Sequence, residues 1–245
     1  MLNGVVLVRN EASNLPRCLE SLKFCDEVIV VDDTSTDDSV KVAKKLGARV
    51  VFHPLADDYA QARNWAINQV KSGWILFVDA DEVVTVPLEK EIKSMIKKIE
   101  YNGFFLPRRD YMWGKELKHG DVGHVQVLRL ARKGAGQWTG RVHETWQIEG
   151  QVGRLKSHMN HYPHPTMDEF LRHINRYSTI RARELYENGI RSNLLQIIFY
   201  PILKFKYLYL VKLGFLDKTA GFVHAMTMVF YTFLVRGKLW LRFWR

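Results

Sequence analysis

The stretch Trp74-Ile75-Leu76-Phe77-Val78-Asp79-Ala80-Asp81-Glu82 decides how this chain folds. Five consecutive apolar residues, bounded upstream by Ser72-Gly73, make a short buried strand of the parallel-sheet kind. That strand ends in acid, and an open parallel sheet keeps its ligand site beyond the carboxyl ends of its strands. An earlier run repeats the pattern, since Glu27-Val28-Ile29-Val30-Val31 ends in Asp32-Asp33 and then Thr34-Ser35-Thr36-Asp37-Asp38. A lone Asp-x-Asp is more often a solvated loop or a helix cap, but two acidic strand ends bring carboxylates to one rim. Alternate carboxylates leaving a strand suit a hard divalent cation, and Mg²⁺ of this kind takes one or two protein carboxylates plus phosphate oxygens. A metal-bound nucleotide diphosphate is the expected ligand.

From Val5 to Asp81 the pattern reads strand, helix, strand, helix, strand, helix, strand with short connections, which predicts an α/β sheet covered by helices. Leu15, Cys18, Leu19 and Leu22 share one face of the first helix, with Pro16 in its first turn. The second helix is expected to start among the capping residues Ser35 to Asp38 and to exit at Gly47. Ala48–Phe52 reads as a third strand, and Tyr59–Val70 as a helix carrying Arg63 and Asn64 near its start. Beyond Asp81 come an amphipathic helix through Leu88, Ile92, Met95, Ile96 and Ile99, a strand at Gly103–Pro107 and another at Val125–Leu130. Residues 108–165, rich in Gly, His, Trp and Arg, are assigned to the acceptor side, with 140–144, Gly-Arg-Val-His-Glu, as their most chemically loaded segment. Residues 1–165 would thus form a catalytic domain with 1–107 as its nucleotide half, and 166–189 a connecting helix.

The tail, residues 190–245, holds nine Lys or Arg against one acid, Asp217, and so eight of the ten net positive charges of the 245-residue chain. It is also the most apolar part, so lipid headgroups fit it better than nucleic acid, and no nucleic-acid partner is expected. Asn193–Leu203 and Thr219–Val235 contain no charged residue. The second has 17 residues, the short end of the roughly 17–25 a span needs. Interrupted by Gly221, His224 and Thr residues, it is a poor span. Helices lying on or dipping into an anionic leaflet are expected, with a buried helical subdomain or oligomer interface as the alternative. No signal peptide is read at Met1–Val8, so the chain is expected to begin in the cytoplasm, and Cys18 and Cys25 are expected to be reduced thiols.

With these features in place, the chain resembles the family 2 inverting glycosyltransferases of GT-A fold, and in particular the small bacterial lipopolysaccharide core glucosyltransferases. The matching text is Val8-Arg9-Asn10-Glu11-Ala12-Ser13-Asn14-Leu15, Val30-Val31-Asp32-Asp33-Thr34-Ser35-Thr36-Asp37, Ala62-Arg63-Asn64, Val78-Asp79-Ala80-Asp81-Glu82, Val142-His143-Glu144 and Gly214-Phe215-Leu216-Asp217. The resemblance implies that Asp33 contacts a uracil, that Asn10 and Glu11 lie beside the nucleoside, and that Asp79 faces the ribose. It further implies that Asp81 binds Mg²⁺ or Mn²⁺, that Arg63 approaches the base or diphosphate, and that Glu144 is the general base. Glu144 capping a helix or pairing with Arg141 is the competing reading. His143 and His161 are further candidates for the metal or diphosphate, or are structural. Trp113, Trp138 and Trp146 would either stack on a sugar or belong to the core.

The implied reaction moves one sugar, glucose by resemblance, from a UDP-sugar to a lipid-linked glycan at the inner face of the cytoplasmic membrane. Single addition is favoured because the Gln-x-x-Arg-Trp motif of processive synthases is absent. Two other readings stand beside it. A nucleotidyltransferase would want a Gly-rich phosphate loop, which Val8–Asn14 lacks. A non-enzymatic membrane or nucleic-acid module would bind no nucleotide.

Overall fold

The computed structural model describes residues 1–55, 58–140, 144–163 and 166–243, which fall into two compact units. The first comprises Met1–Arg108 and Gln126–His161, the second Arg109–Val125 and Tyr162–Arg245.

The first unit is built on strands β1 (Leu2–Val8), β2 (Glu27–Asp32), β3 (Arg49–Phe52) and β4 (Trp74–Asp79), all parallel, in the order β3-β2-β1-β4. The sheet continues through β8 (Val125–Arg132), antiparallel to β4, then β6 (Gly103–Met112), β12 (Met159–His161) and β5 (Glu82–Val84), with β11 (Val152–Arg154) also on β6. Helices α1 (Leu15–Glu20), α2 (Ser39–Lys45), α3 (Tyr59–Gln69) and α4 (Val86–Met95) connect the strands. The expected alternation from Val5 to Asp81 is therefore present, and the strands at 103 and 125 run farther than their apolar cores predict.

Side chains along the central strands alternate between two buried layers. Val6, Val30, Leu76 and Val78 join Leu15, Leu22 and Leu88 on one face. Val5, Ile29, Val31, Ile75 and Phe77 join Ala66, Ile67, Trp138 and Trp146 on the other. Period-two alternation with both faces covered is what a continuous apolar strand sequence requires. Fully burying Phe77 contributes about 2–3 kcal/mol. Gly73 sets the entry to β4: its φ is +92°, and a Cβ there would lie 2.3 Å from the Met1 carbonyl oxygen.

α2 starts at Ser39, but its N-cap Asp38 makes no side-chain cap bond. Asp37 takes over, accepting from Ser39 N–H at 2.9 Å and from Ala12 N–H at 3.1 Å. The acid run thus serves as a brace between the first strand's exit loop and α2. Cys18 and Cys25 are both free.

Separate from the main sheet is a hairpin of β9 (Gly136–Thr139) and β10 (Thr145–Ile148), paired antiparallel with Trp146 opposite Trp138. Trp138 and Trp146 are core, stacked 5.1 Å apart and each edge-on to Phe77.

The second unit contains the outer end of β6 paired with β7 (Lys115–Leu117) and the helices α5 (Met167–Glu187), α6 (Leu194–Phe205) and α7 (Lys218–Phe243). α6 widens into a π turn over Lys206–Val211, followed by a short 3₁₀ turn at Gly214–Asp217. Gly221 of α7 is required there, because a Cβ would lie 2.0 Å from the Gly214 carbonyl oxygen. Met112, Leu117, Phe170 and Ile174 form one core with Trp113, Met228 and Tyr231, and Ala182, Leu185, Val235 and Leu239 another. α7 therefore buries one side, including Ala225 and Leu239. Among the described residues, the stretch long and apolar enough to cross a membrane is Leu194–Val211 rather than 219–235. Leu194, Leu195, Leu203 and Val211 in it are more than half exposed.

Candidate active site

Strand register builds the site. Val8 pairs with Asp32 and Leu7 with Asp79, so the acids ending β2 and β4 flank the end of β1 on one rim. β1 is also where the strand order reverses, the topological switch point at which such sheets open a crevice.

At the first acidic end, Asp33 is buried, accepting from Leu55 N–H at 2.8 Å and from Arg9 Nη1 at 3.1 Å. The backbone around it is forced. Asn10 and Thr34 both have positive φ, 57° and 53°, and a β-branched residue in that region costs about 1–3 kcal/mol. Asn10 is tied to the same loop: its N–H donates to Ser35 Oγ, and its Oδ1 accepts from Thr36 N–H at 2.7 Å. Glu11 accepts from Asn14 Nδ2 at 2.8 Å, while its own N–H donates to Ser39 Oγ. Asn10, Glu11 and Asp33 therefore belong to one braced corner.

At the second acidic end, Asp79 receives two guanidinium groups. Arg63 Nη2 donates to its Oδ1 at 2.8 Å and Arg129 Nη2 to its Oδ2 at 2.5 Å. Burial opposes ionisation of Asp79, but Arg129 and Arg63 overcome it and hold the carboxyl well below the usual range. The side chain keeps 31% of its surface exposed, so a ligand can still reach it. Arg63 is 3% exposed and also donates through Nε to Glu144 Oε1 at 2.9 Å. One guanidinium thus joins the two acids that the sequence reading gave to opposite tasks. Its burial works against its charge, and Asp79 and Glu144 together keep it protonated. The group lies 4.8 Å from the Trp138 ring and 5.3 Å from that of Phe77, a stacked setting that suits arginine rather than lysine. Glu144 pairs with Arg63; Arg141 and His143 lie outside the described residues.

Asp81 stands beside His161, with Oδ2 and Nε2 3.3 Å apart. β12 carries His161 there by pairing with β5, His161 opposite Glu82. Burial raises the Asp81 carboxyl and His161 more than reverses it, leaving it lowered. Glu82 is wholly buried and accepts from Asp79 N–H at 2.9 Å, closing the turn between the two aspartates. Burial first, then the charge of Asp79, raises its acid above the usual range. Among the described residues no group of three or more His, Cys, Asp or Glu could hold a metal by itself. The Asp81 carboxylate nonetheless matches the oxygen donor that Mg²⁺ or Mn²⁺ takes beside diphosphate oxygens, with the His161 imidazole next to it.

Residues 5–167 match the profile of glycosyl transferase family 2. The chain belongs to that family. It is 30% identical over 254 residues to the lipopolysaccharide core biosynthesis glycosyltransferase LpsC of Rhizobium meliloti, covering 98% of this chain and 92% of that protein. An uncharacterized glycosyltransferase of Rickettsia felis is 25% identical over 256 residues, 97% and 89% of the two chains. Among solved structures, S. aureus TarS 1–349 in complex with UDP-GlcNAc aligns with 95% of this chain and 81% of its own at TM-score 0.51 and 14% identity. Glucosyl-3-phosphoglycerate synthase from Mycobacterium tuberculosis, in complex with Mn²⁺, UDP and phosphoglyceric acid, aligns with 79% and 80% at TM-score 0.51 and 15% identity. At these identities the structural likeness shows the fold alone, a Rossmann-like α/β sheet.

Two residues of this glycosyltransferase site escaped the sequence reading. Arg129 is the second cation on Asp79; its signal was a lone charge between Leu128 and Leu130 in an apolar strand. Asn64, placed beside Arg63 near the start of its helix but given no role by the sequence, donates through Nδ2 to the Trp138 carbonyl at 2.9 Å and accepts from Trp138 N–H at 2.8 Å.

Proposed function

We propose that this family 2 glycosyltransferase moves one sugar from a UDP-sugar to a lipid-linked glycan, with inversion at the anomeric carbon. The observation that carries the reading is the acidic rim at the β1 switch point, where Asp33, Asp79 and Asp81 gather at the carboxyl ends of β2 and β4. TarS and the mycobacterial synthase, which share the fold, were solved with UDP-GlcNAc and with UDP and Mn²⁺ respectively. Asp33 takes the uracil, with Asn10 and Glu11 beside the nucleoside, and Asp79 takes the ribose, held ionised by Arg63 and Arg129. Arg63, bonded to Asp79, assists with base or diphosphate. Asp81 and His161 would hold Mg²⁺ or Mn²⁺, which when bound offsets the negative charge building on the departing diphosphate.

Glu144 is the general base. As the acceptor oxygen forms its bond to the anomeric carbon and the bond to the diphosphate breaks, Glu144 takes the hydroxyl proton, a task that contributes about 10²–10⁴-fold. Glucose as donor sugar and a heptose as acceptor are carried from the family resemblance, and the relation to LpsC, a lipopolysaccharide core biosynthesis glycosyltransferase, supports the lipopolysaccharide core as the acceptor class. The exposed apolar side of Leu194–Val211, with Lys204, Lys206 and Lys212, supports attachment of residues 190–245 to anionic lipid on the cytoplasmic membrane.

Calorimetric titration of UDP with Mn²⁺ tests the site. Binding should vanish with chelator and in Asp81→Ala, yet persist in Glu144→Gln, which should lose transfer. Equal affinity in wild type and Asp81→Ala would remove the metal assignment.

A further inference from the structure

Glu144 sits at the entrance to β10, in a hairpin that is not part of the main sheet. The hydrogen bonds of the main sheet therefore do not place it. Asn102 holds the hairpin base, donating through Nδ2 to the Glu149 carbonyl at 2.8 Å. Nearer the Glu144 end, the hairpin's backbone anchor is Asn64 of α3. Its amide makes both bonds to the Trp138 backbone, as donor at 2.9 Å and acceptor at 2.8 Å, which is the paired exchange a neighbouring strand would offer. Trp138 lies directly opposite Trp146, and Glu144 is two residues before Trp146. The adjacent Arg63 then binds the Glu144 carboxylate itself.

We propose that Asn64 is a positioning residue for Glu144: its side-chain amide stands in for a strand edge and docks the β9–β10 hairpin, so that Arg63 can hold the carboxylate against Asp79. The proposal rests on Glu144 being the base. It adds that α3 places the base through two consecutive residues, one gripping the backbone of its hairpin and one its side chain. Asn64 touches no reacting atom. Its loss should loosen the hairpin while leaving Asp33, Asp79 and Asp81 in place.

The test is amide hydrogen exchange on the full chain, with Asn64→Ala and Asn64→Asp beside wild type. Two lost hydrogen bonds should raise exchange across 136–148 by about tenfold or more, with β4 unchanged. Asn64→Asp keeps the acceptor and loses the donor, so it should fall between the two and also serves if the alanine variant does not fold. The near-ultraviolet circular dichroism of the Trp138–Trp146 stack should weaken in parallel. Unchanged exchange over 136–148 in either folded variant overturns the proposal. Turnover of UDP-glucose with heptose-terminated lipopolysaccharide core separates this proposal from the reading beneath it. Asn64→Ala should lower kcat with UDP affinity unchanged, and should add no further loss in a Glu144→Gln background. Full turnover in Glu144→Gln would instead sink the base assignment, whatever Asn64 does to exchange.

Discussion

In the first unit, Arg63, Arg129, Asp79, Glu82 and Glu144 are interlocked around Phe77 and Trp138, and the large apolar side chains lie beneath them in two closed layers. In the second, Leu194, Leu195, Leu203 and Leu210 are exposed, while the buried His224 is paired with Asp121 at 2.8 Å. Lys204 reaches the same Asp121 at 3.2 Å, and His119 bonds Asp217 through ring and backbone. The first unit therefore concentrates charge at one rim to receive a charged ligand. The second uses two carboxylates, Asp121 and Asp217, to staple loop 118–121 to helices that keep part of their apolar surface exposed.

Removing Arg63 should break the contrast most severely. Arg63→Ala leaves Asp79 and Glu144 without their shared cation, and losing one partner of a buried pair costs about 3–5 kcal/mol. Thermal unfolding should show it, and Arg63→Lys should restore only part, because an ammonium cannot serve both carboxylates and two rings at once. A variant as stable as wild type would mean the cluster is not what holds the rim.

The second unit's surface should respond to charge instead. Lys206 and Lys212 are exposed beside the apolar stretch, and each is worth about 1 kcal/mol at an anionic membrane. Replacing both with Gln should weaken binding to phosphatidylglycerol vesicles about tenfold or more, measured by co-sedimentation at low and high salt, with UDP affinity unchanged. Equal binding by the double variant would remove the electrostatic part of the membrane reading.

The smallest effect is expected in acid. His224 and Lys204 outweigh burial and lower the Asp121 carboxyl from 3.8 to about 2. A depressed carboxylate stabilises the fold above its unfolded pKa, and that contribution is lost as pH falls from about 4 through 2, some 1–2 kcal/mol in all. Denaturant unfolding between pH 5 and 2 should show a shallower acid limb in Asp121→Asn than in wild type. Identical limbs would mean the staple carries no stability.

Much of the first unit could be read in one dimension because its signals are local. Strand periodicity, turn residues and helix faces lie within ten residues of one another, and acids at the ends of parallel strands share a rim by topology alone. Asp33, Asp79 and Asp81 were therefore visible. Arg129 was not, because its meaning depends on a bond to a residue 50 positions away. The tail's basic, apolar character was equally plain, but which of its two uncharged stretches faces outward was not.

The sequence alone determined the α/β sheet, its acidic rim and the basic apolar tail, since each follows from short-range patterns of hydrophobicity and charge. Tertiary structure alone decided that residues 109–125 group with the C-terminal helices, that α7 buries the face carrying His224, and that Arg63 joins Asp79 to Glu144. Those outcomes depend on hydrogen bonds and packing between residues as far as 81 to 103 positions apart. Chain closure over such distances is set by the fold and leaves no mark on neighbouring residues.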